Sequence, residues 1–344
     1  MIASTVLGFA VGIATGLLVN VLWVKRWRMR AYLFRFKKPK PDILDFKPAS
    51  VQLFAINRWS PARPLRRDRL DMTIIQNRPR QKWCDQAEWR QLADQYKKEG
   101  KAGDCGYLVD FEIDHHETKA GQAFRYSVAH CDYYEHLATV EYLANHSEVR
   151  SKIWQALQHG QVWDFTRSAP PAAMKINVVL VSPEDNFLAI QRSGSVEHKR
   201  GLWTVGPNET MVLKPMRTPG MQAEDLFGLA ERCIREELGL EPADYGPVNI
   251  SWMGYDVSTA QVKVYAQVRS HLPEREIDRR MATAHSVFEA QDTVWVPLKR
   301  RSVMDIMVNW EKGDANGRIW SASAPHSLQE LWRFRGYLNL NEIW

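Results

Sequence analysis

Residues 2–24 form an uninterrupted uncharged run, and no other feature of this chain restricts its fold so strongly. Coiled as a helix at about 1.5 Å per residue, the run reaches roughly 30 Å or a little more, enough for the hydrocarbon core of a bilayer. Lys25, Arg26, Arg28, Arg30, Arg35, Lys37, Lys38 and Lys40 follow before the first acid, Asp42. Basic residues flanking a span stay on the cytoplasmic side, so the expected arrangement is a single-pass protein of the cell inner membrane. Its N-terminus faces out and its C-terminal body faces the cytoplasm. A cleaved signal peptide fits less well, because no basic region precedes the run and its apolar core is long.

The net charge of +6 belongs to this neck, residues 25–42. Setting aside those eight basic residues from the 46 Lys and Arg leaves 38 against 40 Asp and Glu, one of which, Asp42, closes the neck itself. The body is therefore close to neutral, which argues against a nucleic acid polymer as partner, while the neck suits anionic membrane lipids. Cys84, Cys105, Cys131 and Cys233 show no paired spacing, as expected for thiols in a reducing compartment.

Two segments follow. In 43–170, an α+β segment and candidate ligand-recognition part, 51–57 and 107–113 alternate as half-buried strands do, and 89–98 and 133–157 read as helices. Pro170 and Pro171 close it. In 171–344, 175–181 and 187–191 flank the turn 183–186 as a hairpin, and 202–205 reads as a short strand. The stretch 222–238 is an amphipathic helix stopped by Gly239. Strands are expected at 248–254, 262–268 and 293–296, and helices at 274–289 and 327–335. His115, His116, His130, Cys131 and His136 match no standard zinc spacing, so strand edges and a helix face are the better reading. The aromatic stretch 126–139 suits either a pocket wall or core, with core favoured for two of Tyr133, Tyr134 and Leu137.

Chemistry concentrates on the 222–238 helix. Glu224 opens it, and Arg232, Cys233, Glu236 and Glu237 share a flank near its end. Arg232, four residues before Glu236, is placed to hold that carboxylate. An arginine-braced carboxylate edge suits Mg²⁺ or Mn²⁺, which prefer oxygen ligands and bridge phosphates.

Glu224, Arg232, Ile234, Glu236, Glu237, Gly239 and Leu240 occupy positions that resemble the Nudix box. The stretches 188–192, ending in Arg192, 201–205, containing Trp203, and 293–298 resemble strands of that family. The resemblance implies an α/β/α sandwich around a mixed sheet. It implies Glu224, Glu236 and Glu237 as metal ligands, Glu236 and Glu237 as catalytic if the site is active, and Arg192, Trp203 and Arg232 on the ligand. Two departures stand out: Thr218 replaces the expected glycine, and Cys233 replaces a glutamate. A thiol is a poor partner for a hard cation, so metal binding should be weak.

A membrane span joined to an altered box resembles the transmembrane Nudix-like effectors of bacterial cyclic-oligonucleotide anti-phage signalling (CBASS). This implies an antiviral sensor whose ligand is a nucleotide, in one version a cyclic oligonucleotide. An active, membrane-tethered pyrophosphohydrolase of nucleoside diphosphate derivatives and a membrane adaptor for protein partners are the alternatives. Gly8, Gly12 and Gly16 repeat every four residues in the span, a spacing that lets helices approach closely and implies a homo-oligomer. The charge asymmetry predicts a topology: a C-terminal reporter should be active in the cytoplasm, and activity confined to the periplasm would reverse the orientation.

Overall fold

The computed structural model describes residues 43–46, 51–60, 64–75, 86–118, 121–158, 173–194, 201–213, 224–257, 259–285 and 290–338. The expected span with Gly8, Gly12 and Gly16, the basic neck, Pro170, Pro171 and Thr218 lie outside these residues. Among the described residues no helix is long and apolar enough to cross a membrane.

In chain order the first elements are β1 (Ile43–Phe46), β2 (Val51–Arg58), β3 (Leu70–Ile75), α1 (Ala87–Lys98), β4 (Asp104–Thr118) and β5 (Gly121–Asp132). Next come α2 (Tyr133–Asn145), α3 (Ser147–Gln158), β6 (Ala173–Val181), β7 (Asn186–Arg192), β8 (Trp203–Val205) and β9 (Asn208–Thr210). The chain continues through α4 (Leu226–Leu238), β10 (Asn249–Asp256), β11 (Gln261–Arg269), α5 (Glu274–Met281), β12 (Ala290–Pro297), α6 (Arg300–Asn309) and α7 (Ala324–Leu338).

The strands join in one 12-stranded mixed sheet, whose main path runs β2-β10-β11-β6-β4-β5-β3. The two segments distinguished in the sequence are thus parts of one body, and residues 44–344 form a single compact unit. β6 is its axis. Apolar side chains on both of its faces suit a strand covered on both sides. Met174, Ile176, Val178 and Leu180 enter one core with Leu229, Ala230, Ile234 and Leu238 of α4. Trp59, Trp89, Phe124 and Leu143 from the first segment belong to that same core. Val179 and Val181, on the opposite face, pack with Val303 and Ile306 of α6 and Leu328 and Leu331 of α7. Helices therefore cover both faces, giving the α/β/α layering of the second segment.

Local chemistry sets the ends of α4. Asp225 accepts a hydrogen bond from the Gly228 amide at 2.7 Å, starting the helix later than the apolar pattern alone suggests. Gly239, at φ 66°, ends it with its amide donating to the Arg235 carbonyl at 3.0 Å. The single helix expected over 133–157 is two, because His146, at φ −118° and ψ 77°, breaks it. Its ring stacks on Tyr142 at 4.1 Å, and its Nδ1 meets the Tyr142 carbonyl at 2.8 Å. The helix expected over 274–289 ends at Met281. Helix α6 has no counterpart in the sequence reading. Lys299 precedes it without a capping side-chain bond and its first turn holds no acid, so it lacks the usual start signals.

Gly206 joins β8 to β9 at φ 70°, and a Cβ there would lie 1.9 Å from the Val178 carbonyl oxygen. Its amide donates to the Leu188 carbonyl at 2.9 Å, so the turn ties β6 and β7 together. Gly201, at φ 69°, is different: a Cβ added there would meet nothing within 4 Å. Gly201→Ala should therefore cost only the left-handed backbone preference, about 1–2 kcal/mol. Gly206→Ala adds the clash and should cost at least about 3 kcal/mol, read as the difference between the two variants in urea denaturation.

Candidate functional site

Two neighbouring arrangements carry the polar chemistry of this body. The first surrounds Arg232 on α4. Its Nε donates to Glu224 Oε2 at 2.8 Å and its Nη2 to Glu224 Oε1 at 2.8 Å, a two-point grip on one carboxylate. Nη1 donates to Glu236 at 3.2 Å and lies 3.6 Å from Glu209, while Nη2 also reaches the Thr210 carbonyl at 2.9 Å. Burial works against the guanidinium charge. The bonds to Glu224 and the charges of Glu224, Glu209 and Glu236 more than offset it, and its pKa is raised.

Glu237 turns the other way and accepts the Asn208 amide at 3.2 Å. Cys233 does not join this acidic edge: it is fully buried among the apolar residues of α4. Burial, with Glu237 and Glu209 nearby, pushes its thiol pKa well above the ordinary value, so the sulfur stays protonated.

These residues do not fit a resident Mg²⁺ or Mn²⁺. Both Glu224 oxygens hold Arg232, which also engages Glu236, Glu237 accepts the Asn208 backbone amide, and the position of the missing glutamate, Cys233, is a buried neutral thiol. Among the described residues no three His, Cys, Asp or Glu side chains are placed to hold one metal ion. The acidic cluster instead surrounds a protein cation.

The second arrangement is a cavity of about 210 Å³ beside the end of α4. It exists because the edge of β6 is shared. β7 meets β6 at Val181↔Phe187, whereas β9 pairs with it from Lys175 to Asn177. Arg192 and Thr204 line the cavity from β7 and β8, and Lys175, Asn177, Asn208 and Thr210 line it from β6 and β9. Gln261 and Lys263 of β11 and Tyr133 and His136 of α2 complete much of the wall. Among the described residues that line it there is no carboxylate. Asn208 links the two arrangements: its side-chain oxygen accepts from Arg192 at 3.1 Å while its amide donates to Glu237.

The sequence-derived candidates therefore separate. Arg192 lines the cavity. Glu224, Arg232 and Glu236 form one ion-pair cluster, with Glu237 beside it on Asn208. Trp203 is 7% exposed, packs 6.2 Å from Trp320 in the second core and does not line the cavity. Strand alternation explains the difference: its neighbour Thr204 projects to the cavity side, so Trp203 projects to the other. His130 meets Asp104 at 2.9 Å and Cys131 is buried. The side chains of His115 and His116 lie outside the described residues. The aromatic stretch divides as well: Leu137 is core, Tyr134 packs half-buried against the core, and Tyr133 reaches the cavity.

Sequence reading missed Lys175, Asn177 and Lys263. On their strands they read only as polar breaks in apolar runs. Lys263 is nearly inaccessible and pairs with the equally buried Asp256, their side chains being 3% and 1% exposed. His326, close by, is pushed down to about 3 by burial and by the charge of Lys263, so it is neutral at ordinary pH.

No known family profile matches the chain, and no curated relative does. Solved structures overlap part of it. The MutT protein of Methanosarcina mazei Go1 is similar at 14% identity and a TM-score of 0.28, over 48% of this chain and 96% of that one. The NUDIX domain of Shewanella oneidensis NrtR, complexed with ADP ribose, is similar at 16% identity and a TM-score of 0.27, over 48% and 88%. A NUDIX hydrolase from Nitrosomonas europaea gives 12%, 0.30, 48% and 90%. Likeness at this level carries no functional argument.

Removing one partner of a buried ion pair leaves the other charged and desolvated. Lys263→Met should destabilise the protein by about 3–5 kcal/mol. The double variant Lys263→Met, Asp256→Leu should recover most of that loss in chemical denaturation, because it leaves no orphan charge.

Proposed function

We propose that this chain is a Nudix-like nucleotide-binding protein that senses its ligand rather than hydrolysing it. The observation carrying this reading is the pairing of a cation-lined cavity with an acidic helix edge already neutralised by arginine. Lys175, Arg192 and Lys263 favour an anionic ligand, and Tyr133 offers a ring on which a base can stack. The α4 sequence pattern and helices on both faces of the mixed sheet support Nudix-like architecture.

Hydrolysis of a nucleoside diphosphate derivative needs charge neutralisation at the phosphates and a positioned nucleophile. Here the carboxylates that would organise a metal and water hold Arg232 and the Asn208 amide instead. Retained binding with lost turnover follows from that chemistry. In this reading residues 2–24 anchor the protein in the inner membrane with the body in the cytoplasm, and Gly8, Gly12 and Gly16 bring copies together. Ligand binding then acts on the membrane part, as in a CBASS-type antiviral effector. Such coupling requires the ligand to bind the assembled and unassembled states unequally.

Full-length protein in detergent, titrated with nucleoside diphosphate derivatives and cyclic oligonucleotides, tests this. At least one ligand should bind, with unchanged affinity when EDTA replaces Mg²⁺, and without product formation. Turnover at about 1 per second or faster would establish the hydrolase reading instead. Absence of binding across the series would favour the adaptor.

A further inference from the structure

The most unusual electrostatic feature of the cavity comes from strand register. β11 and β6 run parallel, with Lys263 directly beside Lys175 and Tyr265 beside Asn177. Adjacent strands lie about 4.8 Å apart, so the two lysines leave neighbouring strands side by side on one face. Like charges in that position repel. Asp256 answers Lys263 from within the protein, and both lysines line the cavity.

Three further groups meet there. Asn177, one pleat from Lys175 on the same face of β6, is 4% exposed and lines the cavity. Its side-chain amide makes no hydrogen bond among the described residues and borders the cavity. A ligand oxygen in the cavity can accept from that amide. Ser323 lines the cavity immediately before α7, so the amino end of a 15-residue helix abuts the same space. That end carries partial positive charge. Arg192, held by Asn208, closes the other side.

We infer that Lys175, Lys263, Asn177 and the amino end of α7 form a phosphate seat that takes the phosphoryl group of a nucleotide without a metal ion. The inference rests on the nucleotide-binding reading and says where that ligand is gripped. The Lys175 ammonium attracts the phosphate charge beside Lys263, whose own charge Asp256 already answers, and the Asn177 amide donates to one oxygen while restricting its orientation. The cavity, about 210 Å³, is below the roughly 300–1,000 Å³ of pockets that enclose a whole drug-sized ligand. The phosphate end is therefore enclosed while the rest of the nucleotide extends toward Tyr133 and His136. Among the described lining residues none is acidic, which suits a phosphate.

The test uses full-length protein in detergent with EDTA, and three probes: inorganic pyrophosphate, adenosine monophosphate and adenosine. Calorimetry measures binding to wild type, Lys175→Gln, Asn177→Asp and Asn177→Ser, with unliganded thermal melts confirming that each variant folds. Pyrophosphate and adenosine monophosphate should bind wild type and adenosine should bind far more weakly. Lys175→Gln and Asn177→Ser should each lose about tenfold or more in affinity for both phosphates. Asn177→Asp, which adds a like charge at the seat, should abolish binding. Adenosine monophosphate bound equally by all four proteins would overturn the seat while leaving the nucleotide reading intact. Pyrophosphate bound and lost in the variants, with the nucleotide bound no better than pyrophosphate, would uphold the seat and remove the nucleotide reading. Binding of no phosphate probe by wild type would overturn the seat outright.

Discussion

The hydrogen-bonded edges of β6 are the constraint on which the rest of this body depends. One edge is used along its whole length by parallel β11, from Ala173 to Val181. The other is divided among β4 at Ala173, β9 at Lys175 to Asn177 and β7 at Val181. A buried strand must satisfy its peptide groups along its length, and β9 fills the stretch that β7 leaves. Val178 completes the pattern through the Pro207 carbonyl at 3.0 Å, in the tight turn that requires Gly206. The divided edge makes room for a cavity in an otherwise close-packed sheet. It also fixes Lys175 and Asn177 on its wall.

The same strand joins what the sequence suggests are two parts. β4 meets it at Tyr107↔Ala173, and the core beneath α4 is continuous with Trp59, Trp89 and Phe124. Each large buried apolar side chain contributes about 1.5–3 kcal/mol by leaving water, so a shared core binds the parts together more strongly than any surface ion pair. The consequence for the site is direct. α2, from the first part, supplies Tyr133 and His136 to a cavity whose cations come from the second.

Arg232 shows how an acidic cluster can be stable without a cation from solution. Its planar guanidinium satisfies Glu224 at two points and still reaches Glu236 and the Thr210 carbonyl. Lysine could not do so from one position. The arrangement braces α4 against β9, and Asn208 of β9 carries that rigidity to Arg192 in the cavity. Helix and cavity are thus one connected polar structure, although their charges have opposite sign.

Much of this was legible in residue order because it depends on local periodicity and capping. The strand–turn–strand pattern of 175–191, the turn at Asp185 with φ 62°, the apolar stripe of α4 and its stop at Gly239 are short-range properties. The i,i+4 reach of Arg232 to Glu236 is one as well. Periodicity also errs where side chains compete with it. His146 divides an apparently continuous helix through its own bonds to Tyr142, and α6 forms without a capping signal. What residue order determined by itself was the kind of element at most places, the paired carboxylates with their arginine, and the charge division between neck and body. What only the tertiary structure decided was adjacency. A polar residue in a strand shows that one position interrupts an apolar face, but not which strand lies beside it or in what register. Lys175 and Lys263 became neighbours only when β6 and β11 paired, and Cys233 became an inert core thiol only when α4 docked on the sheet. Trp203 and Thr204, adjacent in the chain, were sent to opposite sides by the pleat of β8. Hydrogen-bonded register and burial are settled between distant parts of the chain, so no local pattern records them.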